Sequence, residues 1–170
     1  MRDIKPTDER LAKGDVTESL IDDPVNGFSV ARARSSGALY ALRRTGTLTD
    51  AHVTAAERWA RDYETGVLGG ADPEASRQCG RADVEYALLS RIGAADRCRH
   101  VRGCLGVAAE ILLIRLMIDG MSISAVSAHT GKSRERLAGA VEMVLEQLTE
   151  VYDKMPQGLM QDWSSVPRFC

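Results

Sequence analysis

MSISAVSAHTGKSRERLAGAV, Met121–Val141, decides the fold of this chain. Its pattern is a helix-turn-helix. A short helix over Ser122–Thr130 turns Ile123 and Val126 inward. Gly131 ends it, because glycine takes a positive φ without a Cβ penalty. A turn of Gly131 and Lys132 follows. Ser133 then caps a second helix by accepting from its free N–H groups. That helix opens with Arg134, Glu135 and Arg136, polar groups where a recognition helix meets base edges. Leu137 and Val141 fall in register to pack back on Val126. Two positions depart from the usual pattern: Lys132 stands where an apolar residue is common, and Ser127 where alanine lets the helices approach. The competing reading is an ordinary helical hairpin in an all-helical domain.

Working outward, helices dominate on both sides. Aromatic residues are 5% of the 170, whereas Ala, Leu and Val are plentiful, which favours an all-α class. The chain is long enough for one domain with a packed core and a flexible end. Residues 1–35 read as a weakly ordered arm, acid-rich at first and turning at DDPVNG, Asp22–Gly27. A basic window follows, with Arg32, Arg34, Arg43 and Arg44 and no acid among them, around a short apolar piece at Ala38–Leu42. The domain is expected over Ser36–Asp153, and residues 154–170 form an irregular tail in which Trp163 either anchors the segment or is offered to a partner.

Within the domain the spacing predicts a first long helix over Asp50–Thr65, with Val53, Ala56, Ala60 and Tyr63 on one face and Trp59 widening it. Val67–Ser76 is a Gly/Pro loop. A second helix is read over Arg81–Ile92, with Val84, Ala87, Leu88 and Ile92 inward and a break at Gly93. A third, short helix covers Ala95–Gly103, with Val101 and Cys104 facing in. Val107–Asp119 is apolar nearly all round, as befits a helix at the centre of a bundle. The last helix, Arg134–Tyr152, carries a stripe of Leu137, Val141, Val144, Leu148 and Val151 flanked by Ala140, Leu145 and Tyr152. That stripe is either core across its width or, in its C-terminal half, a dimer contact. The expected core comprises Leu112, Leu113, Leu116, Val126, Leu137, Val141, Val144 and Leu148.

Charge limits the partners. The net charge is −2, so nucleic-acid contact must come from a local patch. No run of about 18 apolar residues spans a membrane, since Glu110 and Arg115 interrupt the greasiest segment. MRDIKPTDER at the start has no apolar signal region, so a cytoplasmic protein is expected. Cys79, Cys98, Cys104 and Cys170 form no CxxC pair and read as free thiols. Cys98, His100 and Cys104, with Cys79, match no zinc spacing. No GxSxG, HExxH or Walker loop appears, Asp83 and Glu85 lie on a polar helix surface, His52 reads as a surface residue, and His129, near the end of the first motif helix, reads as a solvent or phosphate contact and not a base. A non-enzymatic chain without cofactor or metal is therefore expected.

Four segments in order carry a family resemblance: AAERWARDYETGVLGG, RADVEYALLSRIG, CLGVAAEILLIRLMIDG and KSRERLAGAVEMVLEQLTEVYD. Over Thr49–Asp153 the chain resembles a helix-turn-helix domain of alphaproteobacteria and their prophages, which in larger relatives forms the C-terminal half of activators of gene transfer agents. The resemblance implies transcriptional control of phage-like genes and contact with RNA polymerase. The last two helices are also similar to region 4 of sigma factors, at the level of fold.

A DNA-binding transcriptional regulator is the leading expectation. Arg134, Glu135 and Ala138 would face bases, and Ser124, Lys132 and Arg136 would hold phosphates, with Ser133 as the cap between them. A single module makes few contacts, so a homodimer or second partner is expected. An adaptor that binds RNA polymerase or another protein is the alternative, favoured by nine basic and nine acidic side chains over residues 81–150. A third reading is a phage DNA-packaging protein that assembles as a ring.

Overall fold

The computed structural model describes residues 16–22, 29–35, 37–69 and 84–160. Six α-helices build the described domain: α1 (Gly37–Arg44), α2 (Asp50–Gly66), α3 (Val84–Leu105), α4 (Val107–Leu113), α5 (Ile123–Thr130) and α6 (Arg134–Asp153). A π-helical turn, Ile114–Ile118, prolongs α4, and a 3-10 turn, Gln157–Leu159, follows α6. The all-α class expected for the domain is what these elements form. Before them, the stretch read as an arm contains an antiparallel hairpin. Its strands are β1 (Val16–Asp22) and β2 (Ser29–Ser35), with Val16 opposite Ser35 and Asp22 opposite Ser29. Between them in sequence stand residues 23–28, DPVNGF, a composition that favours chain reversal. β2 lies against the π-helical turn, so the hairpin contacts the domain.

α2 is the frame on which the rest is hung: it packs on α1, α3, α6 and the π-helical turn. Its start is fixed by Thr49, whose hydroxyl accepts from the His52 backbone N–H at 3.3 Å. His52 returns a bond, its Nδ1 accepting from the Thr49 N–H at 3.4 Å. Histidine here does the work of the Glu or Gln of a capping box, a role beyond the plain surface position read from the sequence. Its end is fixed by packing. A Cβ on Gly66 would lie 2.3 Å from the Ala95 nitrogen and 2.7 Å from the Ala94 carbonyl carbon, so α2 and α3 touch backbone to backbone there.

That contact explains one correction. Gly93 does not break the chain into two helices; α3 runs unbroken from Val84 to Leu105. Glycine in a helix interior costs about 1 kcal/mol against alanine. Packing of the small Ala94 and Ala95 on Gly66 offsets a penalty of that size. Continuity also resets the face. Ala94, Cys98 and Val101 are buried, whereas Leu88 and Ile92 are 57% and 50% exposed. Cys104, expected inside, is likewise exposed, because it is rotated off the stripe that Ala94, Cys98 and Val101 define. Residues 70–83, which hold Cys79, Asp83 and most of the expected Gly/Pro loop, lie outside the described residues.

The core gathers Leu39, Trp59, Val101, Leu113, Leu116, Met117, Val126, Val141, Leu145 and Leu148. Of the residues expected there, Leu113, Leu116, Val126, Leu137, Val141 and Leu148 are buried, and Leu112 and Val144 are half-buried. The segment Val107–Asp119 is central in its second half. Its first half is peripheral, with Val107, Ala108 and Ile111 exposed. The tail starts as structure too: Arg97 donates to the Leu159 carbonyl at 3.4 Å, and Met155 is buried. Trp163 lies outside the described residues. Among the described residues, no helix is long and apolar enough to cross a membrane.

Candidate nucleic-acid interface

Local chemistry builds the α5–α6 unit from both ends of its turn. Ser122 caps α5, accepting from the Ala125 N–H at 3.1 Å. Gly131 closes it in the left-handed region at φ 68°, with its N–H on the Ser127 carbonyl. Ser133 caps α6, accepting from the Arg136 N–H at 3.3 Å. Val126, Leu137 and Val141 meet in the core beneath the turn. Ser127, the residue out of pattern, fastens the turn: its hydroxyl donates to the Lys132 carbonyl at 2.6 Å. A buried alanine methyl there would leave that carbonyl to solvent.

The result is an exposed edge on a fixed frame. Gly131, Lys132, Ser133, Arg134, Glu135 and Arg136 are all exposed, contiguous and positioned by two caps. Ser124 is exposed on the first turn of α5, and Ala138 is half-buried one turn into α6. The basic residues of this edge are Lys132, Arg134 and Arg136. Beyond it the solvent side of α6 turns acidic, with Glu142, Glu146, Glu150 and Asp153 exposed. A polyanion therefore meets attraction at the first turn of α6 and repulsion along the rest.

The opposite end of α6 is polar inside. Asp62, 6% exposed, accepts from Arg97 Nε at 3.0 Å and Nη2 at 2.6 Å. The Tyr152 hydroxyl donates to the other carboxylate oxygen at 2.9 Å. Burial, then the neighbouring Asp62 charge, pushes the Tyr152 phenol well above its ordinary value, so it stays a donor. The Arg58 guanidinium stacks over the Tyr152 ring, 4.6 Å from its centre. This cluster ties α2, α3 and α6 together, and sequence reading did not find it.

The thiols split the same way. Burial, with Asp62 adding to it, pushes the Cys98 thiol up to about 12, a protonated and unreactive group at neutral pH. Cys104 is exposed, with its Sγ 3.8 Å from His100 Nε2. Among the described residues no group of three or more His, Cys, Asp or Glu side chains is arranged to hold a metal ion. Comparison of the chain with protein-family models, with curated proteins and with solved structures gives no match.

Proposed function

We propose that the chain is a DNA-binding transcriptional regulator that reads the major groove with the first turn of α6. The observation that carries this reading is the exposed run Gly131–Arg136, held between two caps and stapled by Ser127. Arg134 and Glu135 are free of the core and reach base edges, Arg to guanine O6 and N7 and Glu to cytosine N4. Ala138 offers a methyl to thymine. Lys132, Arg136 and Ser124 hold phosphates, and Ser133 sets the helix start that aims them. The resemblance to the helix-turn-helix of gene-transfer-agent activators supports phage-like genes as its targets. Selection from random DNA at two salt concentrations tests the proposal. Recovery of one sequence, with affinity that falls as salt rises, is the expected result. No retention at low salt contradicts it.

One observation favours a second reading, an adaptor for RNA polymerase or another protein. Glu142, Glu146 and Glu150 are exposed along α6 and repel a duplex laid on that helix. The two readings part on Glu142→Gln and Glu146→Gln. A regulator gains DNA affinity when these charges go, and an adaptor shows no DNA binding to gain.

A further inference from the structure

A groove of about 220 Å³ opens beneath the helix-turn-helix, between α4, α5 and α6. Ala108, Ile111 and Leu112 wall it on the α4 side, and Leu137, Ala140 and Val144 on the α6 side. All six are aliphatic. Thr130 also lines it, but its hydroxyl is spent on the Val126 carbonyl at 2.8 Å. The charged groups on its wall are two cations, Arg115 and Lys132, and no acid lines it. An apolar trough with a few polar groups of one sign is built as small-molecule sites are, where such groups orient an apolar ligand.

Arg115 identifies the ligand. It is half-buried, yet among the described residues its guanidinium has neither an acid nor a hydrogen-bond acceptor. Arg97, also half-buried, is bonded to Asp62, and Arg91 to the Gly69 carbonyl. A guanidinium is always charged, and drawing one partly out of water without a partner is unfavourable. Arg115 also stands in the π-helical turn, where the Asp119 N–H reaches back to the Ile114 carbonyl and the Met121 N–H to the Arg115 carbonyl. Such turns are rare and occur frequently at functional sites. A carboxylate supplies the missing partner through two parallel N–H···O bonds. Lys132, on the same groove, adds a second positive charge. The walls fix the rest of the ligand: they hold no aromatic ring on which a flat molecule would stack, so its body is aliphatic. An apolar cavity of about 150 Å³ admits benzene, so this groove has room for roughly six to nine carbons.

We propose that this groove is an effector site for a small aliphatic carboxylate, with the chain of the ligand between α4 and α6 and its carboxylate on Arg115 and Lys132. The consequence for DNA rests on the function proposed above. Lys132 is one of the phosphate contacts of that reading, and a bound carboxylate neutralises it. Leu137 and Ala140, which the ligand touches, belong to the helix whose first turn meets the bases. The occupied protein therefore holds DNA less tightly, and by linkage DNA lowers the affinity for the ligand.

Octanoate, kept below its micellar concentration, is the probe. Titrated into the full chain without DNA and followed by amide chemical shifts, it should saturate one site with a Kd on the order of 1 mM or tighter. The signals that move should be those of Ala109, Ile111, Ala140 and Val144. Octanol, with the same chain and no charge, should bind about tenfold more weakly. Arg115→Gln should lose a similar factor. Ala140→Leu, which fills the groove and keeps both cations, should abolish binding with helicity and melting unchanged. Shifts that do not saturate overturn the site. So does octanol that binds as octanoate does, or a folded Arg115→Gln or Ala140→Leu protein that binds octanoate like the wild type. On DNA, saturating octanoate should weaken the wild type about several-fold, the loss of one phosphate contact, and leave Ala140→Leu unaffected. Saturable octanoate binding with DNA affinity unchanged overturns the regulatory part. A wild type that takes octanoate in this groove and binds no DNA strikes the functional reading and leaves the site standing.

Discussion

The two ends of α6 handle charge in opposite ways. At its C-terminal end Asp62, Arg97 and Tyr152 are drawn inside and bonded to one another. At its N-terminal end Lys132, Arg134, Glu135 and Arg136 are held outside, with their backbone fixed and their side chains left to solvent. One end spends its polar groups on holding three helices together. The other keeps them available. A helix of 20 residues is about 30 Å long, so a rigid anchor at one end holds the other end in place. The comparison teaches where substitutions should be silent: changes at the anchored end alter stability, and changes at the free end alter binding.

The largest break in that contrast comes from the core both ends share. Leu116 is 1% exposed at the heart of the bundle. Leu116→Asp buries a carboxylate with no partner, which costs several kcal/mol. Loss of the helical circular dichroism signal is the expected outcome, and normal melting would refute the burial. Next comes the anchor. Asp62→Ala strands the Arg97 guanidinium and the Tyr152 hydroxyl, and removing one partner of a buried ion pair costs about 3–5 kcal/mol. Chemical denaturation should show that loss, while a variant that stays folded keeps its recognition turn.

A smaller effect is expected where α2 meets α3. Gly66→Ala places a methyl against the Ala95 backbone, where a Cβ would be 2.3 Å from nitrogen. The helices must separate, at a cost of about 1–3 kcal/mol. A melting curve unchanged by this substitution would remove the close approach that carries α3 through Gly93. The thiols sharpen the contrast without a mutation. In the native protein an alkylating reagent should modify Cys104 and spare Cys98, which becomes reactive on unfolding. The sign of the pH effect follows. With Cys98 raised from 9.0 to about 12 in the fold, the unfolded chain loses its proton first, so stability falls as pH climbs through that window.

Which parts were legible in the sequence follows from range. The helix-turn-helix was readable because its determinants are neighbours: Gly131 and Ser133 each act within a few residues, and the structure uses both as caps, while Ser122, read as the first residue of the helix, is the cap before it. Val126, Leu137 and Val141 were readable from register alone. The anchor was not, because Tyr152 and Asp62 stand 90 residues apart and no periodicity links them. Gly93 misled for a related reason. A local rule ends helices at glycine, and the compensation came from Gly66, on another helix. That error also turned Leu88, Ile92 and Cys104 to the wrong side. The final helix illustrates an intermediate case. Its stripe was visible, but whether it faced a core or a second copy required the fold, which buries Leu145, Leu148 and Tyr152 and leaves Met143 outside.

The most direct test of the free end is the affinity of Arg134→Ala for the DNA sequence selected by the wild type. Arg134 is exposed one residue after the Ser133 cap and makes no core contact, so the melting temperature should not change. Specific binding should weaken by about 1–3 kcal/mol, the value of a bidentate arginine–guanine pair. Arg136→Ala alongside it should weaken binding to all sequences alike and reduce the salt slope by about one unit. A wild type without salt-dependent DNA binding, or an Arg134→Ala protein that binds the selected sequence as the wild type does, would contradict the account and leave the recognition turn as scaffold.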